Sequence, residues 1–382
     1  MEKWSGKSLV IGDLIATTPI IQGGMGVGIS LSGLASAVAN EGGIGVISAA
    51  FIGMNELDYK TNFPEANIRA LRKEIRKARE LTDGIIGVNI MYALSNYEDM
   101  VKVSIEEGID IIFVGAGLPL NLPAFINEKS HTKLVPIVSS GRAAQLIANR
   151  WFTKYNYIPD AIVVEGPKAG GHLGFSVEQI ADENYALEKL VMDTVEVTNI
   201  IEQKTGKKVP VIAGGGVYSG SDIELFQSLG ASGVQMGTRF VTTLECEAPY
   251  FFKKAYMEAE EKDIIIINSP VGMPGRAIKN NFLDNINKEG SKEKSLDCVY
   301  ACIKTCKPDK SPYCIAKALF NAKRGNLKGG FAFAGANAYL VKDIVSVHDL
   351  LNELSMEYEN AVSGTIKNYQ TEKSLVKQKR NI

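Results

Sequence analysis

The segment EGPKAGGHLGF, residues 165–175, carries His172, one of only three histidines in the chain of 382 residues. An imidazole titrates near neutrality and can take or give a proton at working pH. Gly170 and Gly171 remove side-chain bulk from its approach, Lys168 stands just upstream, and the apolar run DAIVVEG leads into it. The pattern has two readings. His172 is a proton-transfer residue beside a ligand, with Lys168 holding an anion, or it fills a tight turn while Lys168 points to water. His131 and His348 lack such surroundings and read as surface residues.

Two glycine turns have the composition of an anion cradle. VPVIAGGGVYSG (209–220) ends an apolar run in Gly214, Gly215 and Gly216 and then opens a helix, and GTRF (237–240) repeats the device with Gly237 and Thr238. Glycines let backbone N–H groups approach an oxyanion, and a helix start adds its dipole. Either turn alone reads equally as a plain reversal. QGGMGVG (22–28) is not a clean dinucleotide fingerprint, and no acidic residue follows at the ribose-binding distance. Its Gly23–Gly24 pair suits a flat ring lying against the backbone. GVNIM (87–91) puts a carboxamide, Asn89, inside an apolar run. Left unpaired in a buried place it costs roughly 1–3 kcal/mol, so it bonds either a polar ring edge or a neighbouring backbone group.

Cys298, Cys302, Cys306 and Cys314 run C-x3-C-x3-C-x7-C. Structural zinc sites show closer pairs separated by a longer loop. On a helix the first three would stripe one face, as ligands or as packing. Reduced thiols and no metal is the reading retained, with Cys246 as core packing.

These residues need a scaffold that gathers them. Apolar runs rich in Val and Ile at 19–24, 43–50, 84–91, 110–117, 134–140, 160–166, 209–215 and 233–240 are continuous rather than alternating. That is the pattern of parallel strands covered on both faces. Helical spacing separates them, as in 30–42 and in the amphipathic stretch 67–84. Eight strands with crossovers make an α/β chain with a (β/α)8 TIM barrel. A doubly wound open sheet fits less well, because glycines follow nearly every strand instead of marking one switch point. In a barrel, Gly24 and Met25 after the first strand, Asn89 in the third, His172 after the sixth, Gly215 after the seventh, and Gly237 and Thr238 in the eighth converge on one mouth.

Past residue 260 the character changes: a Pro/Gly loop at 269–282 containing Arg276, a polar break at 287–295, a helical cysteine-bearing stretch, and an amphipathic helix at 346–362. The division is a barrel at residues 1–260 and a C-terminal helical cap or subdomain at 261–382, not an independent unit. Composition is 45% hydrophobic and 22% charged, with a formal net charge of -1, which argues against nucleic acid or an anionic membrane as partner. No run has the roughly 18 apolar residues of a membrane span, and no signal-peptide pattern opens the chain, so the expected location is cytoplasmic. The basic tail 373–380 reads as a solvated end, and a homodimer is left open.

Taken as a set, PIIQGGMGVG, AVANEGGIGVIS, GVNIM, EGPKAGGHLGF, PVIAGGGVYSG and GVQMGTRFVTTLECEA resemble the motifs of the nitronate monooxygenase family, over about residues 9–250. The resemblance implies an FMN-dependent (β/α)8 barrel that oxidises alkyl nitronates to carbonyl compounds and nitrite with molecular oxygen. The same motifs are similar to the type II enoyl-acyl carrier protein reductases, which use FMN with NAD(P)H. Carried over by position, the resemblance implies that Gly24 and Met25 lie against the isoalloxazine and Asn89 bonds its polar edge. It places Gly170 against the cofactor, and Gly215 with Gln235, Met236, Gly237 and Thr238 at the phosphate. His172 matches the catalytic histidine. Glu165 stands where the family usually has glutamine, and Lys168 replaces an acidic residue before the AGGH motif. A non-catalytic barrel that binds a phosphorylated ligand is the contrasting possibility.

Overall fold

The computed structural model describes residues 4–288, 298 and 300–379. Eight parallel strands form its centre: β1 (Ile20–Gln22), β2 (Gly45–Ser48), β3 (Ile86–Met91), β4 (Ile111–Gly115), β5 (Lys133–Val138), β6 (Ile162–Glu165), β7 (Val211–Gly214) and β8 (Gly233–Met236). Their order is β1-β8-β7-β6-β5-β4-β3-β2. The last seam closes beside β2, where Ile21 bridges Ile44 and the Gln22 amide donates to the Ile44 carbonyl. The Gln22 side chain completes the seam by accepting the Val46 amide at 3.1 Å. The eight apolar runs read from the sequence are these eight strands.

A barrel needs one set of side chains inside and another outside. Ile21, Val46, Ile111, Phe113, Val135, Val163 and Ile212 fill the interior, and they share a cluster with Leu9, Ile11 and Ala16 of an N-terminal hairpin. The opposite faces of the strands pack on helices α1 (Ser32–Asn40), α2 (Phe63–Leu81), α3 (Tyr97–Glu106), α4 (Gly141–Tyr155), α5 (Leu187–Thr205) and α6 (Gly220–Ser228). The α2 helix carries the predicted amphipathic stripe, with Ala70, Leu71, Ile75 and Ala78 buried. One crossover departs from the expected alternation. Between β4 and β5 there is only the short turn Leu122–Phe125. Pro119 and Pro123 each lack an N–H and interrupt any longer helix there. The Pro119 carbonyl instead accepts the buried Trp151 indole N–H at 2.9 Å.

Beyond the barrel, Ile264–Asn268 (β9) and Pro274–Ile278 (β10) form an antiparallel pair, and β10 also pairs with the short strand Gly171–His172. The Pro/Gly loop read at 269–282 therefore contains the second arm of a hairpin, Pro274–Ile278, a strand with a partner on either side. The cysteine stretch is not a helix. Ile303 bridges Leu94 in extended pairing, Pro308–Lys310 makes one 3-10 turn, and among the described residues from 298 to 323 only Ile315–Lys323 is α-helical. The final helix α7, Val347–Lys379, outruns the expected 346–362, and its backbone continues through the basic tail, of which Arg380 lies outside the described residues.

Carboxylates borrowed from other elements cap several helices. Glu247 accepts from the Leu31 and Gly33 amides at the start of α1, Glu357 of α7 from the Gly220 amide of α6, and Glu245 from the Val347 amide of α7. The last two contacts hold α7 to α6 and to the segment that follows β8. Among the described residues no helix is long and apolar enough to cross a membrane.

Candidate active site

The C-terminal ends of the strands and the C-terminal segment enclose a cavity of about 550 Å³. His172, Gly24, Met25, Asn89, Glu165, Gly170, Gly215, Gln235, Met236, Gly237 and Thr238 all line it. Residues spread over more than half of the chain meet there because parallel strands present their C-terminal turns at one end.

Each turn leaves room or polarity of a particular kind. Gly24 faces Asn89 so closely that a Cβ would sit 2.3 Å from the Asn89 Cβ. The Asn89 carboxamide lines the cavity and has no hydrogen-bond partner among the described residues. Gly215 has φ +79° and its Cβ would lie 2.7 Å from the Gly166 carbonyl, a position only glycine fits. Asn337 donates to the Gly216 carbonyl at 2.8 Å, and Thr238 Oγ1 accepts the Gly335 amide at 3.1 Å. The cradle made by the two glycine turns is thus braced by the segment after residue 328. Lys168 is exposed and lays its aliphatic stem on Gly216, with a Gly216 Cβ placed 3.3 Å from the Lys168 Cβ.

His172 is half-buried. Its Nε2 lies 2.7 Å from the Ser269 hydroxyl, and its ring meets Phe333 edge-on at a centroid distance of 5.0 Å. Ser269 can donate to Nε2 or accept from it, so either neutral tautomer is held. Burial pulls the imidazole down to about 4, leaving it neutral at pH 7. The Glu165 carboxyl in the same cavity is pushed the other way, up to about 7, also by burial. The two shifts oppose one another because burial disfavours whichever form of a group is charged.

Glu165 has a consequence for stability. A carboxyl raised from 4.5 to about 7 in the fold contributes fully below pH 4.5, and that contribution is lost as pH rises toward 7. Because the cavity admits water, the effect is on the order of 1–3 kcal/mol. Glu165→Gln is expected to be the more stable protein at pH 8 and to lose that advantage at pH 5, read by urea unfolding of the cofactor-free chain. A stability difference that does not vary between those pH values sinks the reading.

Sequence reasoning missed Ser269, Phe333 and the bonding of Arg276. The Arg276 Nη1 donates to the Pro167 and Ala169 carbonyls. His131 is exposed as expected, and the half-exposed His348 pairs with Glu41 at 3.1 Å. Cys246 is buried, its thiol pushed up to about 11, in keeping with packing. Cys298, Cys302, Cys306 and Cys314 are free thiols, and among the described residues no set of three His, Cys, Asp or Glu side chains is arranged to hold a metal ion.

A family model described as nitronate monooxygenase matches residues 8–357. The chain is 28% identical over 303 residues to a probable nitronate monooxygenase of Staphylococcus saprophyticus, covering 73% of this chain and 80% of that one. It is 27% identical over 278 residues to the (3aS,4S,5R,7aS)-5-hydroxy-7a-methyl-1-oxo-octahydro-1H-indene-4-carboxyl-CoA dehydrogenase of Mycobacterium tuberculosis, covering 73% and 67%. Among solved structures, FabK from Thermotoga maritima superposes with a TM-score of 0.70 at 27% identity, covering 92% of this chain and 96% of that one. A nitroalkane oxidase from Streptomyces ansochromogenes, 22% identical, shares the fold with a TM-score of 0.69, covering 91% and 97%.

Proposed function

The chain belongs to the nitronate monooxygenase family and is an oxidoreductase acting on a small molecule, and from that premise we propose that it binds FMN and oxidises alkyl nitronates to a carbonyl compound and nitrite with molecular oxygen. The observation that carries the proposal is one cavity combining a glycine cradle, an unpaired carboxamide and a neutral imidazole. The residues present fit a flat ring with a phosphate tail. Gly24, Met25 and Gly170 offer flat backbone approach, Asn89 and Glu165 offer polar contacts for a ring edge, and Gly215, Gln235, Met236, Gly237 and Thr238 offer the phosphate end, with Lys168 as its cation. When bound, FMN supplies the reversible acceptor for substrate electrons.

The protein's own groups do the rest. His172, neutral above about pH 4, is the base that removes the acidic α-proton when a neutral nitroalkane enters. Ser269 holds the ring in place while it does so. A preformed nitronate needs no proton removed, and His172 then orients its negative nitro oxygens. Phe333 and the apolar residues Phe331, Ile303 and Ile315 keep that end of the cavity dry. The division into a barrel at 1–260 and a cap at 261–382 is likewise proposed, supported by the change from parallel barrel strands to the β9–β10 hairpin.

The likeness to FabK from Thermotoga maritima, at a TM-score of 0.70 and 27% identity, favours one second reading: reduction of an enoyl thioester of an acyl carrier protein by NAD(P)H. The two are separated by anaerobic titration of the yellow protein. Bleaching by a nitronate and not by NADH or NADPH supports the first reading, and rapid bleaching by a pyridine nucleotide overturns it in favour of the second. A colourless protein that cannot be reconstituted with FMN overturns both.

A further inference from the structure

The turn that delivers His172 is held from outside the barrel. Three successive carbonyls, of Pro167, Lys168 and Ala169, are all bonded by residues beyond position 275. Arg276 Nη1 donates to the first and, at 2.8 Å, to the third, and the Ala336 amide donates to the second at 3.0 Å. The backbone of the same arginine faces Gly171 in the antiparallel ladder, one step from the Gly275–His172 pair. The Leu173 amide continues the ladder to the Pro274 carbonyl at 2.8 Å.

Arg276 is only 7% exposed, and among the described residues it has no carboxylate within ion-pair distance. A buried cation is costly to desolvate, and an apolar side chain of similar volume would fill the same space without that cost. What an apolar side chain cannot do is donate to two carbonyls on either side of one residue, for which a planar guanidinium is shaped. Its placement is therefore accounted for by the turn it holds and not by packing.

We propose that Arg276 is a positioning residue: it locks the Pro167–Ala169 turn and thereby sets the placement of His172 and Lys168 at the cavity. The barrel and the C-terminal hairpin then share one site, since Ser269 and Arg276 both come from the β9–β10 unit. The proposal rests on the reading of His172 as the base, and it is tested partly without turnover.

The chain has three histidines, so the His172 ring resonance is identified by its loss in His172→Asn. Arg276→Ala, and Arg276→Gln as the milder change that keeps an N–H donor, are compared with wild type by imidazole NMR, FMN content and steady-state kinetics. The expected result is a shifted or broadened His172 signal with His131 and His348 unmoved. FMN should be retained, kcat for a neutral nitroalkane should fall at least tenfold, and KM should change little. Guanidinium at about 10 mM, far below denaturing levels, is expected to restore several-fold of the lost kcat in Arg276→Ala, and equal urea is not. In the His172→Asn background Arg276→Ala should cause no further loss. A His172 signal unmoved in both Arg276 variants, or losses that multiply in the double variant, overturns the proposal. Should His172→Asn itself leave nitroalkane turnover intact, the functional reading fails instead, while the resonance still scores Arg276. If Arg276→Ala does not fold, Arg276→Gln is judged by the same signal and the same kcat.

Discussion

His172→Asn is expected to lower kcat/KM for a neutral nitroalkane roughly 10²–10⁴-fold, the usual worth of a positioned general base, while turnover of the preformed nitronate changes less than tenfold. Asparagine keeps a polar side chain of similar size beside Ser269 and Phe333, so the cavity wall stays intact. It cannot accept a proton. A substrate that arrives already deprotonated does not need it to. FMN content should stay at the wild-type level, because the glycine cradle is built on other strands. The pH profile of the wild type carries a second signature. Burial holds the imidazole near 4 against an ordinary 6.5, so it is unprotonated and competent across the neutral range. The acid limb of kcat/KM for the nitroalkane should therefore fall near pH 4 and disappear in the variant. Equal losses on nitroalkane and nitronate would falsify the base assignment and leave His172 as a binding residue.

Gly215→Ala should release FMN. The alanine would have to hold φ near +79°, which costs an L-residue roughly 1–2 kcal/mol. Its Cβ would also stand 2.7 Å from the Gly166 carbonyl, which is backbone and cannot swing aside. The turn must move, and the Gly216 carbonyl that Asn337 braces moves with it. We expect the melting temperature of the cofactor-free protein to drop by roughly 2 °C and the FMN dissociation constant to rise at least tenfold, about 1.4 kcal/mol. Fluorescence titration of the apoprotein with FMN reads the second quantity. Unchanged FMN affinity in a destabilised Gly215→Ala protein would remove this turn from the phosphate site and leave it as a structural reversal.

The eight barrel strands were legible because each is buried on both faces and reads as an unbroken apolar run, and the runs recur with helices between them. Their turns were legible because glycine is required wherever backbone reverses against a ligand cavity. The crossover between β4 and β5 was less so, since its two prolines stop a helix without announcing what replaces it. The hairpin at 264–278 was half visible at best. Met273, Pro274 and Gly275 have the composition of a loop, and only pairing on both sides makes a strand of residues 274–278. The cysteine spacing matched a helix face, but the extended pairing of Ile303 with Leu94 shows that tertiary contacts set the backbone there.

By itself the sequence determined the barrel and the end of it where Gly24, Met25, Asn89, His172, Gly215, Gly237 and Thr238 gather, because these follow from local rules of periodicity, glycine conformation and strand direction, while Glu165, Gly170, Gln235 and Met236 of the same cavity were named by the resemblance to the family's motifs. Tertiary structure alone decided which partners complete those residues. Ser269 reaches His172 across 97 positions and Arg276 reaches Pro167 across 109. Contacts of that span leave no periodic trace in the chain. The opposed pKa values of His172 and Glu165 also belong to the fold, because burial produces both and burial exists only once the barrel has closed and the hairpin has covered its mouth.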